Sequence, residues 1–209
     1  MHINTDNYGL PNKKYVRRIQ DVITGCLDEY PRTMVLRIDL RLPDIDDKLY
    51  NADASVITRF TISLRAQIVA DQLRKRKSGK RVHDCRVRII WVREFNACGK
   101  KHYHVALLLN REAYAYPGSY SRRNGNYPHN LAVMIMEAWV RSLGLSTAPN
   151  HEQYYALVEF PANGCYHLSR NHKDFEHQLS DVTHRVNYLA KNFSKDSSDG
   201  LRNFGCSQF

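Results

Sequence analysis

The sequence lacks the features of a membrane-spanning or exported protein. No apolar run approaches the ~20 residues that a helix needs to cross a bilayer. Residues 1–14 are polar and have no apolar centre of the kind found in a signal peptide. The cysteines form no CxxC pair and are odd in number: Cys26, Cys85, Cys98, Cys165 and Cys206. This pattern is typical of reduced thiols, so we expect a cytoplasmic protein with no membrane partner.

Acidic residues are scarce relative to basic ones. The 209 residues include 21 Asp and Glu against 31 Lys and Arg, which gives a formal net charge of +10. Such a balance favours a nucleic-acid partner, because Lys and Arg displace condensed counterions from phosphates. An anionic membrane would instead require a basic amphipathic helix with exposed bulky apolar residues, which we do not find. Charge alone does not distinguish DNA from RNA.

The periodicity of apolar residues indicates a mixed α and β protein with a substantial core, since 43% of the residues are hydrophobic. Helices are predicted at residues 12–28, 55–77, 129–143 and 173–195, and strands at 32–42, 85–95, 100–110, 154–160 and 165–170. We expect a helical arm at 1–30 packed on a main domain at 31–195. A Ser-, Asn- and Gly-rich tail at 196–209 is expected to be loosely ordered.

Two histidines share one face of the predicted strand at 100–110. Side chains alternate along a strand, so His102 and His104 project together while Tyr103 and Val105 project the other way. Adjacent imidazoles either hydrogen-bond to nearby polar groups or bind a metal. A structural zinc site would add Cys98 but has too few thiolates for the usual pattern.

The preceding strand and a short Gly-containing loop predict a β-hairpin whose register decides what lies beside His102. One register places Glu94 there, and a slip of one residue places Arg93 there. The acidic version gives two histidines and one carboxylate, a set that suits Mg²⁺ or Mn²⁺ with open positions for phosphate oxygens. The sequence leaves both registers open.

The last predicted helix carries a tyrosine outside its apolar stripe. Tyr188 lies on the polar face, and Lys191 follows about one turn later. The pair is either an ordinary surface tyrosine beside a lysine or a nucleophile with a cation that stabilises phenolate and an attacked phosphate.

Several basic side chains are candidates for contacts with a DNA backbone, although charge runs are often only solvated faces. A tyrosine- and arginine-rich connection at 111–130 also suits stacking on unpaired bases, or is an ordinary surface loop. The candidate contacts are Arg74, Lys75, Arg76, Lys77, Lys80, Arg81, Arg86, Arg88, Arg122, Arg123 and Lys195.

The strand motif His102-Tyr103-His104, followed by Tyr188-Leu189-Ala190-Lys191 on a helix, resembles the HUH endonucleases. These are rolling-circle replication initiators and relaxases that nick single-stranded DNA. Together with Trp91-Val92-Arg93-Glu94 and residues 164–171, the motifs more closely resemble inovirus gene-two-type replication proteins of the YagK/YfjJ C-terminal domain family.

The resemblance implies an α+β fold in which helices pack on a five-stranded antiparallel sheet, a ferredoxin-like palm with the histidine strand at its centre. It implies that His102 and His104, with Glu94 or as second choice Asp39, hold Mn²⁺ or Mg²⁺.

The implied reaction is replication initiation for a phage or mobile element in a bacterial host. Tyr188 would nick a single-stranded or hairpin origin through a 5′-phosphotyrosine, with Lys191 in support. Asn192, one turn later, is not a second tyrosine, which implies the one-tyrosine class. No Walker-type loop is present, so a host helicase is an expected partner. A non-catalytic DNA- or RNA-binding protein of the same fold is the alternative.

Overall fold

An antiparallel sheet of six strands forms the centre of the computed structural model, which describes residues 11–45, 47–191 and 199–208. The strands are β1 (Arg32–Arg41), β2 (Arg88–Phe95), β3 (Lys101–Asn110), β4 (Val158–Glu159), β5 (Cys165–Ser169) and β6 (Phe204–Cys206). Their order is β4-β1-β3-β2-β6, and β5 also pairs with β1. The expected α+β class with an antiparallel sheet is confirmed, with β3 in the interior of the sheet.

Helices cover both faces of the sheet. They are α1 (Lys13–Glu29), α2 (Asp47–Ala52), α3 (Val56–Lys77), α4 (Leu131–Ser142) and α5 (Phe175–Asn187), with 3₁₀ helices at His151–Leu157 and Tyr188–Ala190. One core contains residues of α3 and α4, and the other contains residues of α1 and α5. Strand β3 contributes side chains to both cores, because successive side chains of a strand point to opposite faces of the sheet. Tyr103 and Val105 enter the first core, and Ala106 and Leu108 enter the second.

Helix α1 is held at its N-terminus by Asn12, whose side-chain oxygen accepts hydrogen bonds from the backbone N–H groups of Lys14 and Tyr15. Five apolar residues of α1 are buried, among them Ile19 and Cys26 at 0% exposure. Among the described residues, no helix has the length and apolar character required to cross a membrane.

The final helix ends earlier than the periodicity predicts. We expected it to continue to residue 195, but α5 ends at Asn187 and a 3₁₀ turn follows at Tyr188–Ala190. The Ala190 carbonyl accepts a hydrogen bond from the Asn12 N–H at 2.8 Å, so the chain leaves the helix where it meets α1. Residues 192–198, which include Lys195, lie outside the described residues.

The C-terminal segment is ordered where it is described, which departs from the loosely ordered tail expected at 196–209. β6 pairs with β2, joining Trp91 to Gly205 in register. Gly205 has a steric role, because a Cβ there would lie 2.4 Å from the Trp91 ring. The Arg93 side chain reinforces the pairing by donating from Nε to the Asn203 side-chain oxygen at 2.9 Å.

Candidate metal centre

The β2–β3 hairpin adopts the register that brings a carboxylate to the histidines. Glu94 pairs with His102, and Val92 pairs with His104. Paired residues of antiparallel strands share a face, so Glu94, His102 and His104 project together. Arg93, the other candidate for this position, points to the opposite face, where its guanidinium donates to the Asp199 carboxylate at 2.5 and 2.8 Å.

The three side chains form a group suited to a cation. One ligand atom from each of Glu94, His102 and His104 lies within 4.8 Å of the others. His104 Nε2 is 3.4 Å from the nearer Glu94 oxygen, and the two imidazole rings stand at 86° to each other. Two imidazole nitrogens and one carboxylate leave coordination positions open for other ligands. Cys98, the thiolate of the zinc alternative, is exposed in the hairpin loop and is not part of this group.

Asp39, the second-choice ligand, occupies a different position. It pairs with His104 across β1 and β3, and its Oδ1 is 2.7 Å from His104 Nδ1. With the Nδ1 proton donated to Asp39, the Nε2 atom of His104 is left to face Glu94 and a metal. The guanidinium of Arg37, a buried residue of β1 on the same face, pairs with the same Asp39 oxygen. This geometry suits Asp39 to orient His104, and Asp39 is not part of the Glu94, His102 and His104 group.

The two histidines have opposite pKa shifts. Burial alone would lower the pKa of His104, but its hydrogen bonds to Asp39 and Glu94 outweigh burial and hold that pKa above the ordinary value. Burial and the charge of His104 together lower the pKa of His102. His102 therefore favours the neutral form that binds metals, while His104 lies in a negative environment that attracts a proton or a cation.

Tyr188 and Lys191 lie next to this group. Leu189 and Ala190 are fully buried and anchor the turn, while Tyr188 is 41% exposed. The Lys191 ammonium is 3.4 Å from the centroid of the Tyr188 ring. Burial lowers the pKa of Lys191, and the charge of Glu94 acts in the opposite direction, which places the ammonium near that carboxylate. The turn also contacts β2 directly.

Arg185, on the helix that leads into the Tyr188 turn, is a residue that the sequence did not single out. Its Nε is buried and has no hydrogen-bond partner among the residues that the structure describes. Burial is the main cause of the lowered pKa of Arg37, and the charge of Arg185 contributes to it, so the two guanidiniums are close. A signal was present in the sequence, since Arg185 lies three residues before Tyr188 and such residues are neighbours on a helix surface.

The histidines open onto a cleft of about 750 Å³. Its lining includes Asp39, His102 and His104 together with Lys100 and Lys101. Tyr188 and Lys191 do not line this cleft, although both are described. The metal group therefore lies between the cleft and the tyrosine turn, and a chain that reached both would cross it.

The basic run at the end of α3 lies at the other end of the sheet from the metal group. Lys101, at the start of β3, donates to the carbonyls of Asn51 and Asp53, just before α3 begins. Asn110, at the end of β3, donates to the Asp84 carbonyl, after α3 has ended. The eight residue-to-residue steps from His102 to Asn110 span roughly 27 Å. Residues 74–81 are therefore distant from the histidines.

Some of the candidate DNA contacts are engaged within the protein. Arg88 is 5% exposed and pairs with Glu29, which corrects its assignment as a DNA contact. Arg74 and Lys75 bind the buried Asp71 at 2.5 and 2.7 Å.

Other candidates are at the surface. Arg76 pairs with Asp84, and Arg122 pairs with Glu152 at 2.5 Å. The exposed residues also include Lys77, Lys80, Arg81, Arg86 and Arg123.

Comparison with known proteins supplies the family. The model of the YagK/YfjJ C-terminal domain matches residues 1–207. The chain belongs to the YagK/YfjJ C-terminal domain family. It is 36% identical over 207 residues to "Uncharacterized protein YagK" of Escherichia coli strain K12, covering 96% of this chain and 95% of that protein. It is also 36% identical over 202 residues to "Uncharacterized protein YfjJ" of the same strain, covering 93% of each.

No solved structure matches the chain. The family match and the two relatives confirm the resemblance to the YagK/YfjJ family. The names of these family members state no activity.

Proposed function

We propose that this protein is a metal-dependent nickase of single-stranded DNA that starts rolling-circle replication of a phage or related mobile element. The observation that carries the proposal is the convergence of two motifs far apart in the sequence. The Glu94, His102 and His104 group lies at one end of the sheet, and the Tyr188 turn contacts β2, the strand that carries Glu94.

The residues have complementary roles in this reaction. Glu94, His102 and His104 would hold Mn²⁺ or Mg²⁺, which supplies a Lewis acid for a non-bridging oxygen of the scissile phosphate. Asp39 holds the imidazole of His104 in the orientation that presents Nε2. Lys191 stabilises the phenolate of Tyr188 because a nearby cation favours the charged form. Arg185 offers a second cation to the phosphate.

The proposed cleavage of the DNA strand is a transesterification. The Tyr188 phenol loses its proton, and its Oη forms a bond to phosphorus while the bond from phosphorus to the 3′ oxygen breaks. The departing oxygen takes up a proton and becomes a 3′-OH that can prime synthesis. The 5′ end of the strand stays attached to Tyr188. Strand separation is assigned to a helicase of the bacterial host, and the cytoplasm is the expected compartment.

Covalent capture of DNA tests the proposal. The protein is incubated with Mn²⁺ and fluorescent single-stranded 60-mers tiled across the replicon that carries its gene, and adducts are resolved on a denaturing gel. We expect one or a few oligonucleotides to give a covalent band that Tyr188→Phe abolishes. Tyr116→Phe, which alters a tyrosine that is 66% exposed, serves as the matched control and should leave the band unchanged.

Two results would count against the nickase. A band that persists in Tyr188→Phe would mean that another residue is the nucleophile. Binding without any adduct, across all oligonucleotides and with either metal, would favour the non-catalytic DNA- or RNA-binding alternative.

A further inference from the structure

A basic groove lies at the β6 edge of the sheet, outside the metal centre. It encloses about 810 Å³ between α1 and α3, across β2 and β6. Five cationic side chains line it: Lys14, Arg18, Arg65, Arg86 and Arg202. Among the described residues, no Asp or Glu lines it.

The cations of this groove differ from most other surface arginines of the protein. Arg41, Arg59, Arg122 and Arg170 each pair with a carboxylate. Within the described part of the chain, none of the five groove cations forms an ion pair, and Arg65 donates only to the Ser207 hydroxyl at 3.2 Å. A concentration of unneutralised cations costs free energy through mutual repulsion, so it marks a surface prepared for an anion.

Two guanidiniums of the groove are held close to each other. Burial lowers the pKa of Arg65, and the charge of Arg86 lowers it further. Arg86 also interacts electrostatically with Glu29. The Glu29 carboxylate, however, accepts a hydrogen bond from Arg88. Two guanidiniums that line one groove, with no Asp or Glu among its described lining residues, provide the donors and charge that bind a phosphate diester.

Aromatic rings accompany the cations. Tyr15 and Phe204 stack with their ring centroids 4.3 Å apart, and Trp91 is half-buried beneath Gly205. All three rings line the groove. Cations interleaved with aromatic surface suit a single strand, whose bases are unpaired and can contact rings, better than a duplex, whose bases are stacked inside.

The groove adjoins the metal centre at one end. Phe204 pairs with Val92, and Glu94 lies two residues further along β2 on the same face, a distance of roughly 7 Å. Asn12, whose N–H bonds to the Ala190 carbonyl of the tyrosine turn, precedes Lys14 by two residues. A chain bound along the groove is thereby directed to both Glu94 and Tyr188.

We propose that this groove is a binding site for single-stranded DNA that holds the strand leading to or from the phosphate attacked at the metal centre. The assignment of DNA as the ligand rests on the proposed nickase function. The sugar-phosphate backbone binds Arg65 and Arg86 at the end of the groove away from the metal centre, and it binds Lys14, Arg18 and Arg202 nearer to the metal centre. The bases contact the aromatic rings.

Fluorescence anisotropy with a labelled 20-mer of oligothymidylate tests the groove without requiring cleavage. The measurement uses Tyr188→Phe in EDTA, so that neither metal nor covalent capture contributes. We expect the double variant Arg65→Ser/Arg86→Ser to bind at least 10-fold more weakly. The slope of log K against log [NaCl] should become shallower by about 1.4, because each lost contact with a single strand accounts for about 0.7.

A charge-matched double variant at the opposite edge provides the control. Arg141→Ser/Arg170→Ser removes two exposed arginines from the side of the sheet away from β6, and its affinity should stay within twofold of the parent. A second groove variant, Lys14→Ser/Arg18→Ser, should also weaken binding. Circular dichroism checks that each variant remains folded.

The outcomes separate the groove from the nickase. Equal losses in the groove and control variants, or no loss in either groove variant, would overturn the groove as the DNA site while leaving the adduct assay to judge Tyr188. Tighter binding of oligouridylate or of a duplex would also overturn it. Weakened binding in the groove variants supports it even where no adduct forms.

Discussion

Asp39 and His104 are joined by a hydrogen bond of 2.7 Å between Oδ1 and Nδ1, across paired positions of β1 and β3. The bond fixes which imidazole nitrogen faces Glu94. It also links the candidate metal ligand to Arg37, whose guanidinium pairs with the same carboxylate oxygen. The affinity for a metal is therefore expected to depend on a residue that does not touch the ion.

Asp39→Asn should lower the affinity for Mn²⁺ by about 10- to 100-fold, the usual effect of losing such an orienting partner. An amide accepts the Nδ1–H bond more weakly and leaves Arg37 without its anion. Isothermal titration calorimetry measures the change, with Asp174→Asn as an exposed control. Unchanged affinity would show that the His104 orientation does not depend on Asp39.

Mn²⁺ should raise the melting temperature of the wild-type protein, because an ion that binds only the folded state stabilises it. At a free concentration 100-fold above Kd, the stabilisation is about 2.7 kcal/mol. Glu94→Gln and His102→Ala should each abolish the shift, and Glu176→Gln, on the exposed first turn of α5, should retain it. Differential scanning fluorimetry with and without EDTA gives the readout; a full shift in His102→Ala would place the ion elsewhere.

Arg185→Gln should slow single-turnover adduct formation by at least about 10-fold while leaving the affinity for Mn²⁺ unchanged, since in the proposed reaction this cation acts on the phosphate and not on the metal. Arg170→Gln removes an exposed arginine of the opposite edge and is the matched control. A drop in Mn²⁺ affinity would instead assign Arg185 to the support of the metal ligands.

Lys191→Met should shift the pH profile of adduct formation to higher pH, because a nearby cation favours the phenolate form of Tyr188 and the variant removes that cation. Lys191→Arg should retain most of the wild-type profile. The adduct yield is measured between pH 6 and about 10, within the range where a phenol can ionise. A fall in rate with no change of profile would mean that Lys191 acts on the phosphate alone.

Asp71 should make folding sensitive to acid. Burial opposes its charge, but Lys75, Tyr114 and His129 bind it and lower its pKa from 3.8 to about 2. The folded state therefore gains stability, on the order of 2 kcal/mol, that is present above pH 4 and is lost as the pH falls toward 2. Urea melts of wild type and Asp71→Asn should differ most near neutrality and converge in acid; a constant difference would contradict this origin.

The sequence indicated the metal group but not all of its geometry. Strand alternation was sufficient to place His102 and His104 on one face. The choice between Glu94 and Arg93 depends on hairpin register, which several turn geometries allow. The role of Asp39 depends on pairing between β1 and β3, whose partners lie 65 positions apart in the sequence. No local pattern specifies such a contact.

Composition misled in two places. Arg88 was counted as a surface cation, but alternation on β2 buries it against α1, where it pairs with Glu29. The Ser-, Asn- and Gly-rich composition of residues 196–209 suggested a loosely ordered tail. Gly205 is instead required for close approach to Trp91. Both errors arise because residue type alone does not show which residues from distant parts of the chain lie beside a given position.

The pairing of β6 with β2 also has a consequence for the order of assembly. Phe204 meets Val92 across more than a hundred residues of sequence, and β6 is the last strand in the part of the chain that the structure describes. Closing long loops is slow relative to forming hairpins such as β2–β3. During synthesis the histidine hairpin can form early, while its neighbouring edge stays open until the last strand emerges. The metal centre is therefore expected to mature before the groove beside it.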